Sequence, residues 1–284
     1  MRVLKQLVLN TLGRMGHELI RKPIGSSHKT ELSGLSFSQF LHCYFMTRDL
    51  SRFFFIQAGA NDGVSNDVIH DFAVTLQLKG LIIEPQATAF EALKANYKGC
   101  ANLIFDNVAI SHEDGRRALY TIKRDLEFLQ YVNQAASFDR QHTVNLLQTH
   151  ITKQASPSIR EEFKRLKLPF EDCIESETVK TYTFTSLLEK HGIFGYDLLQ
   201  VDTEGFDYEV LKIAEIDKYK PALINYEHEH LSSGDRERSW DYLKRFGYQL
   251  FTHEGETTAY HLESRPIVET TSAPKPCEPS LSSI

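Results

Sequence analysis

Apolar side chains run unbroken through Phe53, Phe54, Phe55 and Ile56 before the chain turns abruptly to Gln57, glycine and short polar residues as far as Gly63. A continuous run of this kind suits a parallel strand covered on both faces, and the apolar spacing from Val64 to Leu76 is that of a helix. The pattern predicts a strand, a tight loop and a helix, the first half of a nucleotide-binding βαβ unit. In such a unit the loop brings backbone close to a ligand and the helix N-terminus offers unpaired N–H groups. The alternation then repeats. Gly80 to Ile83 reads as a second strand ending at Glu84 and Pro85, Ala87 to Tyr97 as a helix, and Asn102 to Ile110 as a third parallel strand. Glu113 to Gly115 makes a turn, and Arg117 to Ile122 adds a short strand.

From Lys123 to Lys180 the alternation of strand and helix breaks down into a segment richer in His, Gln, Ser and charge. A connection this long inside a compact domain reads as a functional lid or an inserted element. Ser137 to Gln154 and Ser158 to Leu166 have helical spacing, punctuated by Pro157 and Pro169. His142 and His150 read as exposed polar residues. Regular order returns with a strand over Thr178 to Thr185, a helix over Ser186 to His191 closed by Gly192, and an apolar strand from Tyr196 to Asp202. A helix follows Thr203-Glu204-Gly205 and runs through Ile213. The next strand begins at Pro221 and its end gathers Glu227, His228, Glu229 and His230. Ser239 to Phe246 is a helix carrying the single Trp240, and Tyr248 to Phe251 and Thr258 to Leu262 are two further strands.

These ends carry the candidate chemistry. The loop Gly59-Ala60-Asn61-Asp62-Gly63 is neither the Gly-x-Gly-x-x-Gly of dinucleotide enzymes nor a Walker loop. Glu84 lies about twenty residues past it, where related folds hydrogen-bond a ribose hydroxyl. Asp202 and Glu227 close two further strands at the carboxyl edge, where ligands of open α/β sheets bind. His228 beside Glu227 suits removal of a proton from a hydroxyl near neutral pH, with His230 as the alternate and Asp202 orienting cofactor or acceptor. The bland alternative for Asp202 is a cap on the following helix. Asp202, Glu204, Glu227 and His228 also form an oxygen and nitrogen set suited to a divalent ion, although their spacing matches no tight metal motif.

Gln57-Ala58-Gly59-Ala60-Asn61-Asp62-Gly63, Ile83-Glu84-Pro85, Asn107-Val108-Ala109 and the stretch from Leu199 through Asp202-Thr203-Glu204-Gly205-Phe206-Asp207 to Leu211 resemble the successive motifs of the FkbM-type S-adenosylmethionine-dependent methyltransferases. The resemblance runs from about Phe53 to about Leu262. It implies a Rossmann-like α/β fold of the class I methyltransferases, a mostly parallel seven-stranded sheet between helices, closed by an antiparallel pair over Tyr248 to Phe251 and Thr258 to Leu262. It also implies a cofactor, S-adenosyl-L-methionine, held by Gln57, Gly59, Ala60, Asn61, Asp62, Gly63, Glu84, Pro85, Asp202 and Glu204, with Asn107, Val108 and Ala109 at the adenine. Many family members carry an acid where this chain has Gln57, and Asp62 is the nearest carboxylate able to compensate. The segment 123–180 would cap the acceptor. Characterised relatives are mostly O-methyltransferases, so the implied acceptor is a hydroxyl on a saccharide, glycolipid or secondary metabolite.

Composition narrows the rest. At 284 residues with a formal net charge of −6, the chain has room for one core with additions and no global basic field to attract nucleic acid. Its cysteines are isolated, which suits a reducing cytoplasm. Met1 to Lys22 spaces Leu4, Val8, Leu12, Met15 and Leu19 as an amphipathic helix among basic residues; its stripe is expected on the domain, on a second subunit as a homodimer contact, or on an anionic membrane surface. The expected organisation is an N-terminal helical extension over 1–50, a catalytic domain over 51–265 and a disordered tail over 266–284. Two rivals are an NAD- or nucleotide-sugar-dependent oxidoreductase, which the missing Gly-x-Gly-x-x-Gly opposes, and a catalytically silent binding protein, which the intact Glu84, Asp202 and Glu204 oppose.

Overall fold

The computed structural model describes residues 34–261 apart from 124, 127 and 130–135. The helix expected over Met1 to Lys22 and the tail expected beyond Arg265 lie outside the described residues. A helix α1 (Phe37–Phe45) leads in, its first turn closed by a reciprocal cap in which Ser36 Oγ accepts from the Gln39 N–H and the Gln39 side chain accepts from the Ser36 N–H. The elements that follow alternate as the apolar pattern requires: β1 (Phe54–Ala58), α2 (Ile69–Leu76), β2 (Lys79–Ile83), α3 (Ala87–Asn96) and β3 (Leu103–Asp106). After β4 (Ala109–Ile110) and β5 (Gly115–Ile122) come the helices α4 (Arg140–Thr149) and α5 (Pro157–Leu166). The chain then continues through β6 (Ile174–Tyr182), α6 (Phe184–His191), β7 (Leu198–Val201), α7 (Asp207–Ile213), α8 (Ile216–Tyr219) and β8 (Leu223–Glu227). It ends in α9 (Ser233–Arg245), β9 (Gln249–His253) and β10 (Glu256–Tyr260).

Seven strands form the main sheet in the order β3-β2-β1-β7-β8-β10-β9. β3, β2, β1, β7 and β8 are mutually parallel, and β10 pairs antiparallel with both β8 and β9. This is the Rossmann-like sheet with an antiparallel closing pair that the motifs implied. Side chains alternate along each strand, so each face has its own core. Ile56, Leu199 and Ile224 pack with α6, α7 and Leu243 of α9 on one face, and Phe55, Leu198 and Leu223 with α1, α2 and α3 on the other. Among the described residues no helix is long and apolar enough to cross a membrane.

The structure corrects two boundaries. Asn102 to Ile110 is two strands: β3 stays in the main sheet, and β4 leaves it to join a second sheet of order β4-β6-β5. Asn107 sits at the break, its side-chain amide donating to the Glu84 and Pro85 carbonyls at 2.8 and 3.0 Å. The strand expected over Thr178 to Thr185 is β6, which starts earlier and pairs antiparallel along all of β5, from Gly115 with Thr181 to Ile122 with Ile174. The segment between Ile122 and Ile174 therefore leaves and returns at one point. It carries its own small core of Val144, Leu147, Ile151, Phe163 and Cys173.

One contact fixes how the sheet presents its loops. Gly59 has φ +81°, and a Cβ there would sit 1.7 Å from the Asp202 carbonyl oxygen. Gly59→Ala is expected to destabilise the domain by roughly 2–5 kcal/mol, the sum of a left-handed alanine and of backbone overlap. Thermal unfolding should show Tm lower by roughly 5–15 °C. A variant melting with the native protein would mean that β1 and β7 separate at no cost.

Candidate active site

A cleft of about 760 Å³ opens at the carboxyl edge of the main sheet, a size that suits a cofactor or small ligand. Three amide side chains lie beneath it in register, Gln57 beside Gln200 and Gln200 beside Asn225. Gln57 is 2 % exposed, Gln200 6 % and Asn225 2 %. Gln57 Nε2 donates to Asp67 Oδ2 at 3.1 Å, and the Tyr97 hydroxyl donates to the same oxygen at 3.3 Å. The Oε1 atoms of Gln57 and Gln200 are buried without hydrogen-bond partners, and both residues line the cleft. A ligand carrying N–H or O–H groups would satisfy them.

Gly59, Ala60, Asn61, Glu84 and Pro85 line one end of the cleft, as expected. Glu84 is 3 % exposed; its Oε2 accepts from the Asn61 N–H at 2.8 Å and its Oε1 from the Gln86 N–H at 2.7 Å. Each oxygen keeps a second lone pair for a ligand hydroxyl. Asp62 and Gly63 are not in the lining. Asp62 closes the turn, accepting from the Val64 and Ser65 N–H groups and the Ser65 hydroxyl, and Gly63 packs on Leu93 and Tyr97. The carboxylate near Gln57 is thus Asp67, which the sequence reading passed over, rather than Asp62. Val108 and Ala109 line the opposite wall with Leu119, Phe138 and Phe206, while Asn107 lies behind it, holding the Glu84 and Pro85 carbonyls. Phe138 and Phe206 meet edge to face at 5.6 Å, and the Arg117 guanidinium caps Phe138 at 4.1 Å.

At the ends of β7 and β8 the structure brings together Asp202, Glu204, Glu227 and His230. Asp207, fully buried at the start of α7, accepts from the Thr203 and Gly205 N–H groups and so shapes the loop; burial pushes it up to about 6 against these donors. Glu204 adopts φ +51° at the bend. His230 Nε2 lies 3.3 Å from Glu204 Oε2 and 3.6 Å from Glu227 Oε2. The Asp202 carboxylate bears directly on Glu227 beside it. Burial and then neighbouring acids raise both, and Glu227, the less exposed, holds a proton. Asp202 is exposed to the cleft, so repulsion from its neighbours is the part of its shift that solvent in the cleft leaves in place.

His228 stands apart from this group. Its backbone N–H bonds the Gly255 carbonyl, its Nδ1 lies 2.9 Å from Thr257 Oγ1, and its ring meets Trp240 edge to face, outside the cleft lining. The expectation that it is the base is replaced by the placement of Asp202 and His230, which do reach the cleft. Phe138 and Asp67 are residues that sequence reasoning missed, and Phe206 and Asp207 stood in the resembling motif without an assigned role. Only Asp207 had a local signal, an acid opening a helix two residues after glycine.

A family model described as Methyltransferase FkbM domain matches residues 57–250, well over half of the chain. No curated protein matches. Among solved structures, one of a methyltransferase FkbM from Methylobacillus flagellatus KT is 14 % identical with TM-score 0.42, covering 75 % of this chain and 45 % of its own. The ribosomal protein L11 methylase of Lactobacillus delbrueckii subsp. bulgaricus is 9 % identical with TM-score 0.37, covering 78 % and 74 %. The N-terminal domain of human METTL16 in complex with SAH is 10 % identical with TM-score 0.39, covering 91 % and 81 %. The chain thus spans under half the length of the Methylobacillus flagellatus protein.

The electrostatics of the site make one outcome measurable without any ligand. Burial, with a smaller push from Glu177, raises Glu84 to about 7 from an ordinary value near 4.5. A folded-state pKa above the unfolded one means that folding takes up a proton between these values. Stability is then greatest below about pH 4.5 and declines as pH rises to about 7. Glu84→Gln does not titrate, so the wild type should lose up to roughly 3 kcal/mol relative to this variant between pH 4.5 and 7. Urea unfolding at intervals of pH reads the difference; parallel curves would show that Glu84 ionises normally.

Proposed function

The chain belongs to the FkbM methyltransferase family, and we propose that it transfers the methyl group of S-adenosylmethionine to a hydroxyl oxygen of a neutral acceptor, a saccharide, glycolipid or other secondary metabolite. One observation carries this reading. Glu84 at the end of β2 and the acids at the ends of β7 and β8 face one cleft whose lining, among the described residues, includes eight carboxylates and neither lysine nor arginine. Such a cleft suits a cofactor of net positive charge, as a sulfonium beside an amino acid group is, and repels phosphate. The same charge disfavours the oxidoreductase rival, whose dinucleotide or nucleotide-sugar diphosphate would meet no cation.

The cofactor would lie from Glu84, whose free lone pairs suit its ribose hydroxyls, across Gly59 towards Asp202. Bound there, it supplies an activated methyl group. The protein's part is to orient the acceptor and accept its proton. The acceptor oxygen donates its lone pair to the methyl carbon as the carbon–sulfur bond breaks and its electron pair returns to sulfur. The hydroxyl proton passes to Asp202, the member of the acid group that is exposed to the cleft. Glu227, raised by burial and the acids around it, adds no charge beside Asp202 while it is protonated, and Phe138 and Phe206 offer an apolar wall to the ligand.

S-Adenosylhomocysteine should bind the purified protein in calorimetry, and Glu84→Ala should weaken that binding by roughly 1–3 kcal/mol. Binding of NAD in its place would overturn the reading. With labelled S-adenosylmethionine and a panel of neutral glycosides and anionic analogues, transfer is expected to the neutral acceptors only. Asp202→Asn should then lower turnover by roughly two to four orders of magnitude while S-adenosylhomocysteine affinity stays within a few-fold. His228→Gln, which touches Thr257 and Trp240 rather than the cleft, should retain most turnover. The reverse order of the two variants would restore His228 as the base.

A further inference from the structure

The acid and imidazole group at the ends of β7 and β8 has a second property, visible in its spacing. A divalent ion held at about 2.1 Å by three facial ligands sets its donor atoms about 3.0 to 3.4 Å apart. Glu204 Oε2 lies 3.3 Å from His230 Nε2, Glu227 Oε2 lies 3.6 Å from it, and the three donors all fall within 4.8 Å of one another. The first is the separation of ligands on one ion, and a small rotation of the Glu227 carboxyl would bring the third donor to the same point. Glu227 Oε2 is shut off from solvent and has no hydrogen-bond partner among the described residues, so an ion at that point would satisfy it.

Independent observations agree. Gln200, only 6 % exposed, lines the cleft from the adjacent strand with its Oε1 unpartnered, and Asp202 follows two residues later. His142, carried in by α4 from the inserted segment, brings a second imidazole. Its ring centre lies 6.5 Å from that of His230, and its Nε2 is buried without a partner. A Cβ at Gly205 would come within 2.7 Å of that nitrogen, so the glycine at φ +94° leaves the space that His142 fills. The ends of β7 and β8 and the inserted α4 thus meet around unpartnered donor atoms, and among the described residues no lysine or arginine lines the cleft to neutralise the acids.

We propose that Glu204, Glu227 and His230 bind a first-row divalent cation such as Mn2+, with His142 beside it. Two hard carboxylate oxygens and one imidazole suit Mn2+ better than Ca2+ or Mg2+, which take oxygen sets. Three protein ligands leave positions open towards the cleft, as in catalytic rather than structural metal sites. Binding would displace the proton that Glu227 carries in the metal-free protein, and the ion, set beside Asp202, would hold the acceptor oxygen while Asp202 remains the proton acceptor. The metal site itself does not depend on the methyl-transfer reading.

The test uses the full chain, freed of metal by chelation and titrated with Mn2+ while electron paramagnetic resonance counts the free aquo ion. One ion per chain should be bound, and Glu227→Gln and His230→Gln should each weaken binding at least tenfold. Asp241→Asn, an exposed acid on α9, should bind as the wild type does. Circular dichroism identifies folded variants, and His230→Gln decides the matter if Glu227→Gln does not fold. Absence of stoichiometric binding by the wild type, or unchanged binding by the folded ligand variants, overturns the site. S-Adenosylhomocysteine binding, measured on the same samples, separates this failure from a failure of the proposed function.

Discussion

The junction of β1 with β7 is the contact on which the rest of the site depends. The Asp202 N–H donates to the Ala58 carbonyl at 2.9 Å, and the next residue, Gly59, passes so close to the Asp202 carbonyl that a side chain has no room. Two loops with different tasks, one lying against Glu84 and one bearing the acids, are thereby held side by side. Parallel pairing makes this possible, because it delivers the ends of β1, β2, β7 and β8 to the same edge. Glycine is required at this position by the approach of a neighbouring strand as much as by its positive φ.

The second organising fact is electrostatic. Concentrating Glu84, Asp202, Glu204 and Glu227 in one cleft without lysine or arginine opposes folding, since each added charge raises the next. The fold contains the repulsion in three ways. Backbone N–H groups hold Glu84 and Asp207, burial and the neighbouring acids favour the uncharged form of Glu227, and His230 lies against Glu204. What remains uncompensated favours a cation, and a sulfonium and a divalent ion are both cations. The acidity of the cleft is therefore a statement about its ligands: a charge pattern that costs stability in the free protein is recovered as affinity when a positive group enters.

Much of this was legible in the chain. Unbroken apolar runs ending in glycine or acid gave β1, β2, β7 and β8 with the residues at their tips, because burial on both faces leaves a strong compositional trace. The helix starts were less sharp: α5 opens at Pro157 behind a Ser156 cap and α6 at Phe184 behind Thr183, each earlier than the apolar spacing placed it. What stayed hidden depends on pairing between distant segments. Val108 and Ala109 read as the continuation of a strand, yet β4 has left the main sheet for β6, some seventy residues on. Phe138 and Phe206 touch only through the tertiary fold, and neither carries a periodic signal. Asp67 was passed over because its partner, Gln57, lies on another element.

The histidines show where a pattern rule stops. Had β8 continued through His230, His228 and His230 would share one face and could not be ranked. The strand ends at Glu227, and the Gly255 carbonyl accepts from the N–H groups of both His228 and Glu229 at 2.7 and 3.1 Å. That doubled bond ends the ladder and bends the chain. His228 is carried against Thr257 and Trp240, while His230 reaches Glu204 on the loop after β7. One glycine between β9 and β10 thus decides which imidazole faces the acids. A Cβ at Gly255 would meet the Glu229 side chain at 2.8 Å, so the hairpin turn and the acid group are packed as one unit. The chemistry available at the end of β8 is therefore set by a residue some twenty-five positions further on, through backbone geometry alone.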